Sequence, residues 1–345
     1  MPSIAQADPP RFDVVGPTTK KATRPTKELP ESLIRTARNV EKEEFDAARH
    51  VNYVPPKKVW TMADIGLEGV GISPTAISEP FPLFTESAVK QFRADLFSEP
   101  VLERCQFASS FATNMIRGYD ATIAPFIHKA WASPEVLGAV SSIAGVDLVP
   151  AMDYEIGHCN ISINDEKPTP AQLKSLQDGS ENEAFAWHRD SFPFVCVTMV
   201  SDCRNMVGGE TVLRTGDGNT MKARGPTMGT AVVMQGRYIE HMALKSFGGG
   251  ERISLITPFR PRSPFAKDEV VLTTVRGISF PELLYPQFAE YRLEILKTRI
   301  EWLIEEVKQQ RGQKKKFVLR SIKDYLYEQQ HYIDATLDEM IDDGV

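Results

Sequence analysis

The sequence has few cysteines, and their positions exclude several kinds of site. Four occur in 345 residues, at Cys105, Cys159, Cys196 and Cys203. No two of them form a CxxC pair, so neither a zinc ribbon nor a thioredoxin-like redox motif is available. Scattered cysteines in a chain of this length are typical of buried thiols in a reducing compartment. We therefore expect free thiols and no disulfide framework.

The sequence also lacks long apolar runs and an excess of basic residues. No run approaches the roughly 18 apolar residues of a membrane span, and the first residues contain no apolar core of the secretory type. The formal net charge is −6, whereas a general nucleic-acid binder would be basic. These features predict a cytoplasmic protein that binds neither membranes nor nucleic acids.

The composition that remains is that of an ordinary globular protein. Hydrophobic residues make up 42% of the chain and charged residues 25%, which is enough for a substantial core. Residues 1–30 combine six prolines with polar residues and are predicted to be a flexible arm. Residues 31–345 are predicted to form one domain, with a helical part at 31–147, a β core at 148–264 and C-terminal helices at 265–345.

Apolar spacing predicts the type of most elements. Helices are predicted at 31–51, from Thr85 onward, and at 123–131, 133–145, 281–310 and 317–341. Short β-rich segments separated by glycine-rich turns follow residue 148, at 148–163, 192–200, 211–214, 229–235, 238–245 and 253–259. Many short strands of this kind favour a sandwich or jelly roll. A polar insertion at 164–184 is well placed to act as a lid.

The segment 187–254 carries the residue types of a metal site. On a β-strand alternate side chains share a face, so His188 and Asp190 would point the same way. His241, 53 residues after His188, is the obvious third ligand. Two neutral imidazoles and one carboxylate form the facial triad that leaves open positions on a non-haem Fe(II). Glu240 would face the other way if His241 lies on a strand.

A second pair of residues follows the distal histidine. Arg252 lies eleven residues after His241, and Ser254 follows two residues later. If the two share one strand face, both reach the same cavity. A guanidinium group can form two parallel hydrogen bonds to a carboxylate, and a neighbouring hydroxyl can donate a further one. The pair predicts a site for a dicarboxylate that also binds the metal; the alternative is a structural ion pair of Arg252 with Glu251 or Glu210.

This ordered set resembles the Fe(II)/2-oxoglutarate-dependent oxygenases. The spacing of Arg252 is similar to that of the phytanoyl-CoA hydroxylase branch, and Trp187-His188-x-Asp190 with Gly208-Gly209-Glu210-Thr211 resembles the taurine-dioxygenase branch. From about residue 81 to about residue 286 the chain resembles fungal oxygenases encoded beside secondary-metabolism genes. The resemblance implies a mainly β core, a double-stranded β-helix (jelly roll) with the metal at its mouth, flanked by N- and C-terminal α-helices.

The resemblance also implies an activity and roles for residues. It implies a dioxygenase that uses Fe(II), 2-oxoglutarate and O2 to hydroxylate, desaturate or cyclise a small molecule, such as an amino acid or natural-product intermediate, with release of succinate and CO2. Arg252 and Ser254 would hold the far carboxylate of 2-oxoglutarate. Thr211 matches a threonine that contacts 2-oxoglutarate in the taurine-dioxygenase branch. By position alone, Asn160 lies on the strand expected before the metal motif, where it would either line the same pocket or be an ordinary strand residue. His158 would support the metal ligands, face the substrate or be a structural histidine.

Several alternatives remain open at this point. A zinc hydrolase could use the same three ligands, since Zn²⁺ binds most nitrogen and oxygen sites more tightly than Fe²⁺, although it would not need Arg252 and Ser254. A non-catalytic jelly-roll binding protein is the other alternative. The sequence also leaves open whether the chain is a monomer or a homodimer, and whether the C-terminal helices pair with a second copy or cap the pocket.

Overall fold

A computed structural model describes residue 25 and residues 28–108, 114–164, 169–170, 187–223, 225, 227–312 and 319–341. The predicted arm at 1–30 and the predicted lid at 164–184 lie almost entirely outside the described residues.

Helices are numbered in chain order within this part of the chain. They are α1 (Glu31–Arg38), α2 (Ala47–His50), α3 (Glu86–Leu96), α4 (Glu99–Cys105), α5 (Pro125–Ala132), α6 (Pro134–Ala144), α7 (Thr273–Arg276), α8 (Pro281–Gly312) and α9 (Leu319–Glu339). A short 3-10 turn spans Asp153–Glu155.

Strands are numbered in the same way. They are β1 (Val59–Thr61), β2 (Thr75–Ser78), β3 (Phe81–Pro82), β4 (Gln106–Phe107), β5 (Met115–Ile116), β6 (Leu148–Pro150), β7 (His158–Asn164), β8 (Phe194–Met199), β9 (Val207–Gly208), β10 (Thr211–Arg214), β11 (Thr220–Ala223), β12 (Thr230–Met234), β13 (His241–Ala243), β14 (Ser246–Phe247) and β15 (Gly250–Pro261).

Most strands join one large sheet. Its strand order is β1-β2-β12-β8-β15-β7-β5-β4. In addition, β3 pairs with β12 and β6 pairs with β15. The long strand β15 is central, since it pairs antiparallel with β7 on one side and β8 on the other. A smaller sheet has the order β11-β10-β13, and β9 pairs with β14. The core is therefore mainly β, with helices flanking it on the N- and C-terminal sides.

The N-terminal helices pack on the large sheet, and α3 and α6 begin where the sequence predicts. Thr85 caps α3 by accepting a hydrogen bond from the amide of Ala88 at 3.2 Å. Ser133 caps α6, which ends at Gly145 in the left-handed conformation, φ 70°. The core beneath these helices contains Trp131, whose ring contacts Phe259 of β15 edge-on at 5.9 Å. These contacts hold the outer face of the sheet against the helical layer.

The C-terminal helices α8 and α9 form an antiparallel hairpin. Arg292 of α8 forms an ion pair with Asp268 at 3.1 Å and lies 3.5 Å from the centre of the Tyr332 ring of α9. Nearer the cavity, Glu339 accepts hydrogen bonds from the amide of Leu272 and the guanidinium of Arg276. The end of α9 thus holds the segment that contains α7. No helix in the described ranges combines the length and apolarity needed to span a membrane.

Several predicted elements are wrong in extent. The part predicted as helical, 31–147, also contains β1–β5 of the large sheet, and the strand predicted at 238–245 is a strand only at His241–Ala243. The single helix predicted at 31–51 is interrupted, because the side chain of Gln91 binds the carbonyl of Glu41 and the amide of Glu43 and so satisfies an extended backbone there. The β run predicted at 148–163 is split by the 3-10 turn and by Gly157, φ 68°. All four cysteines are free, as expected, but Cys203 is only half-buried.

Candidate metal centre

Three predicted ligand side chains converge in the structure. Oδ1 of Asp190 lies 3.7 Å from Nε2 of His188 and 3.7 Å from Nε2 of His241. Two atoms that each bind one ion at about 2.1 Å can be at most about 4.2 Å apart, so both distances suit a shared cation. The two imidazoles and the carboxylate are therefore placed to act as ligands on one side of an ion. Among the described residues, these three form the group of histidine and acidic side chains that could hold a metal ion.

The backbone brings these residues together differently from the prediction. His188 and Asp190 do not lie on a common strand: His188 forms an isolated antiparallel bridge, and Asp190 follows it in irregular backbone. The partner in the bridge is His241, and the two residues exchange backbone hydrogen bonds of 2.9 and 2.8 Å. His241 opens β13. A long-range pairing of the two histidines therefore replaces the predicted alternation along one strand.

The orientation of His241 is set by its own backbone. Its Nδ1 lies 2.9 Å from the carbonyl oxygen of Ile239, to which it donates, so Nε2 keeps its lone pair for a metal. Burial lowers the pKa of His241 from 6.5 to about 4. The neutral imidazole that a metal requires is therefore the form present at neutral pH.

Asp190 is positioned by a close backbone approach. Its amide donates to the carbonyl oxygen of Gly236 at 3.0 Å. A Cβ at position 236 would lie 1.8 Å from Oδ2 of Asp190. Only glycine leaves space for the carboxylate at this point, which is a strong geometric constraint on the ligand set.

The three side chains line a cavity of about 200 Å³. Residues of both sheets line it, from β5, β7, β8, β12 and β15 of the large sheet and from β10 and β13 of the smaller one. Most of the remaining wall is apolar, with Met115, Phe192, Val195, Val197, Met234 and Ile256. Such a lining gives the three ligand side chains mainly apolar surroundings.

Arg252 lies on the same cavity wall, and no described residue provides a counter-charge for it. No described carboxylate is within ion-pair distance of its guanidinium, and its buried Nε has no hydrogen-bond partner. The predicted alternative partner Glu251 instead binds Arg93 at 2.5 Å. Burial lowers the pKa of Arg252 from its ordinary value, but an arginine remains charged in a protein. A buried guanidinium in this position requires an anion.

The other predicted residues line the cavity as well. Ser254 is buried and lies two residues along β15 from Arg252, on the same face. Asn160 of β7 is directly opposite Ser254 in the register of the sheet. Thr211 opens β10 and is paired in register with Ala243 of β13. All seven predicted site residues thus border one cavity.

A buried polar network behind Asn160 is not evident in the sequence. Arg117 donates to Glu155 and to Nδ1 of His158, the latter at 3.1 Å. Because arginine can only donate, His158 carries its proton on Nε2, which lies 3.1 Å from Oδ1 of Asn160. Burial and the nearby Arg117 lower the pKa of His158 to about 3. The network leaves the amide N–H groups of Asn160 for a ligand.

Sequence reasoning misses this network because its members are separated in the chain. Arg117 follows β5, Glu155 ends the 3-10 turn, and Ser279, which also accepts from Arg117 at 2.8 Å, follows α7. No short motif connects these positions. The one sequence signal is His158, which lies on the same face of the strand as Asn160.

The segment after β15 closes another side of the cavity. Thr274, Val275 and Ile278 line it, and the hydroxyl of Thr274 lies 2.5 Å from that of Ser191, next to Asp190. Residues that precede the C-terminal hairpin therefore cap part of the pocket.

No family model and no curated protein sequence matches the chain. Solved structures do match, and they include members of the family that the motifs resemble. An oxidoreductase of the 2OG-Fe(II) oxygenase family from Burkholderia pseudomallei shares 14% identity, with 46% of this chain and 70% of that chain covered and a TM-score of 0.32. A prolyl-4-hydroxylase from Pseudomonas putida shares 18%, with 61% and 100% covered and a TM-score of 0.32. HygX from Streptomyces hygroscopicus, with nickel, 2-oxoglutarate and hygromycin B bound, shares 12%, with 54% and 82% covered and a TM-score of 0.34.

Proposed function

We propose that this protein is an Fe(II)/2-oxoglutarate-dependent dioxygenase that oxidises a small molecule. The observation that carries the proposal is Arg252, a buried cation without a described counter-charge. It borders the same cavity as His188, Asp190 and His241. A metal triad and a guanidinium with no anionic partner in the described part of the chain suit a ligand that chelates a metal at one end and carries a carboxylate at the other.

The residues divide into two groups in this proposal. His188, Asp190 and His241 would hold Fe(II), and Arg252 and Ser254 would bind the far carboxylate of 2-oxoglutarate. When bound, iron and 2-oxoglutarate supply the activation of O2, with succinate and CO2 as the products of the co-substrate. The chain itself supplies ligand geometry, orientation and a mainly apolar cavity.

Other cavity residues would position the two small molecules. Asn160 presents its amide N–H groups beside Ser254, held by its contact with His158, and suits an oxygen acceptor on the co-substrate. Thr211 would contact 2-oxoglutarate from β10. The apolar lining would orient the part of the substrate that is oxidised. We propose hydroxylation, desaturation or cyclisation of an amino acid or natural-product intermediate, an assignment supported by the small size of the cavity.

The proposal extends to the fold and the location of the protein. We propose that the two sheets that line the cavity form a double-stranded β-helix and that residues 31–345 act as one domain preceded by an arm at 1–30. Free cysteines, three of them buried, are in keeping with the cytoplasm.

Anaerobic titration with Fe(II) and then 2-oxoglutarate tests this function. A weak visible charge-transfer band should appear only when both are present, and it should be absent in His188→Ala. His331→Ala is the matched control, because His331 is an exposed residue of α9 and its loss should leave the band unchanged. Absence of the band in the wild-type protein at saturating iron and 2-oxoglutarate would overturn the proposal and favour a zinc hydrolase or a binding protein.

A further inference from the structure

The C-terminal hairpin carries an apolar face that no described residue covers. Besides Leu283 near the start of α8, six large aliphatic side chains of α8 and α9 are each between 41% and 61% exposed, namely Leu293, Ile304, Leu319, Leu326, Ile333 and Leu337. Isolated apolar residues are normal on protein surfaces, but contiguous patches mark sites of interaction. Whether these six form one patch depends on their spacing and on the packing of the two helices.

The spacing on α9 is that of a helix-packing seam. Leu319, Ile322, Leu326, Ile333 and Leu337 follow one another at steps of three, four or seven residues, which places them along one side of the helix. A different face of α9 contacts α8, through Tyr325, Gln329 and Tyr332. The seam is therefore additional to the packing inside the hairpin.

The hairpin partner carries a matching stripe. Leu293, Leu296, Ile300, Ile304 and Val307 of α8 show the same spacing, and the side of α8 toward α9 carries Arg292 and Arg299. Successive residues of a helix are rotated by about 100° about its axis. On each helix, the stripe is rotated by about 100°, in the same sense along the chain, from the side that faces the other helix. Because the helices are antiparallel, these displacements bring both stripes to one side of the hairpin. The two stripes form a single apolar face.

We propose that this face is a homodimer interface, in which the hairpins of two copies pack antiparallel as a four-helix bundle. The apolar residues of α9 are arranged with the two-fold symmetry that an antiparallel pair of α9 helices requires. When a second α9 is reversed about the point between Gln329 and Gln330, Leu326 lies opposite Ile333 and Ile322 lies opposite Leu337. A symmetric dimer needs a surface that is complementary to itself, and this arrangement provides one.

The charges beside the seam have the same symmetry. Arg320 and Lys323 lie in the first half of α9, and Asp334 and Asp338 lie in the second half. The reversal that aligns the apolar residues places the basic pair of one copy near the acidic pair of the other. A parallel arrangement would place like charges together. Charge complementarity therefore favours a second copy of this chain in the antiparallel orientation.

The size of the face is sufficient for this role. At 1.5 Å per residue, the seam from Leu319 to Leu337 is about 27 Å long, and two adjacent helices are about 20 Å wide. The face therefore covers roughly 500 Å² on each copy, and two copies bury the roughly 1,000 Å² that a specific interface requires.

Sedimentation velocity of the full chain at micromolar concentrations tests the proposal. The wild-type protein should be a dimer, and Leu326→Glu with Ile333→Glu should weaken the dimer by about 30-fold or more, as expected for loss of central interface residues. Val54→Glu is the control, because Val54 is 51% exposed and outside the hairpin. Far-UV circular dichroism checks that each variant is folded. A monomeric wild-type protein, or a dimer unaffected by the double substitution, would overturn the proposal.

Charge reversal distinguishes this antiparallel dimer from pairing through another surface. Arg320→Glu with Lys323→Glu should dissociate the dimer, and so should Asp334→Lys with Asp338→Lys, because each variant repels its own copy. Mixing the two variants should restore a dimer, since both charge clusters then meet opposite charges. Failure to form the mixed dimer while both variants remain folded would contradict the antiparallel arrangement.

Discussion

Replacement of Arg252 by methionine should separate the stability of the protein from its binding of 2-oxoglutarate. The guanidinium is buried at the cavity wall without a described anionic partner, so folding of the free protein leaves a charge uncompensated. Replacement of a buried charge by an apolar side chain of similar volume is often neutral or stabilising. We therefore expect Arg252→Met to unfold at the same temperature as the wild type or higher.

Binding of 2-oxoglutarate should change in the opposite direction. One charge-assisted hydrogen bond contributes about 1.5–3 kcal/mol, which corresponds to roughly 10- to 150-fold in Kd. A guanidinium fork makes two such bonds, so Arg252→Met should weaken binding by more than about 100-fold. Arg252→Lys keeps the charge and loses the fork, and it should weaken binding by an intermediate factor.

Isothermal titration calorimetry with Mn(II) in place of Fe(II) measures the affinity without oxidation, and thermal unfolding measures the stability. The matched control is Arg260→Met, since Arg260 lies on the same strand but packs over the Tyr291 ring at 4.5 Å, away from the cavity lining. A Kd for Arg252→Met within about threefold of the wild type would refute the assignment. A large loss of stability without ligand would show that Arg252 has a structural partner instead.

Two further variants test the metal centre and the network behind Asn160. Gly236→Ala places a Cβ 1.8 Å from Oδ2 of Asp190 and should weaken Mn(II) binding, measured by electron paramagnetic resonance, by about tenfold or more; Gly138→Ala, with nothing within 4 Å, should not. Burial holds the pKa of His158 near 3 against 6.5 when unfolded, so the unfolded state binds more protons between these values and stability falls as the pH drops from 6.5 toward 3. His158→Gln should flatten the decline in urea stability between pH 7 and pH 5, and profiles parallel to the wild type would contradict this role.

The predicted helix starts show which features are local. Thr85 and Ser133 cap α3 and α6 as predicted because a cap depends on a few adjacent residues. The interruption between α1 and α2 could not be predicted, because the groups that stabilise it belong to Gln91, far along the chain. The mainly β composition of the core follows from the short alternating segments, whereas their order in the sheet depends on pairings such as β7 with β15.

The sequence by itself determined which residue types border the cavity and in what order they occur. Arg252 and Ser254 share a face because strand alternation is a local property of the backbone. Tertiary structure alone decided how Asp190 reaches the two histidines, since its position depends on the bridge between His188 and His241 and on the space beside Gly236. It also decided the network around Arg117 and the common side of the two apolar stripes on α8 and α9. These features arise from contacts between distant segments, and sequence spacing carries no record of such contacts.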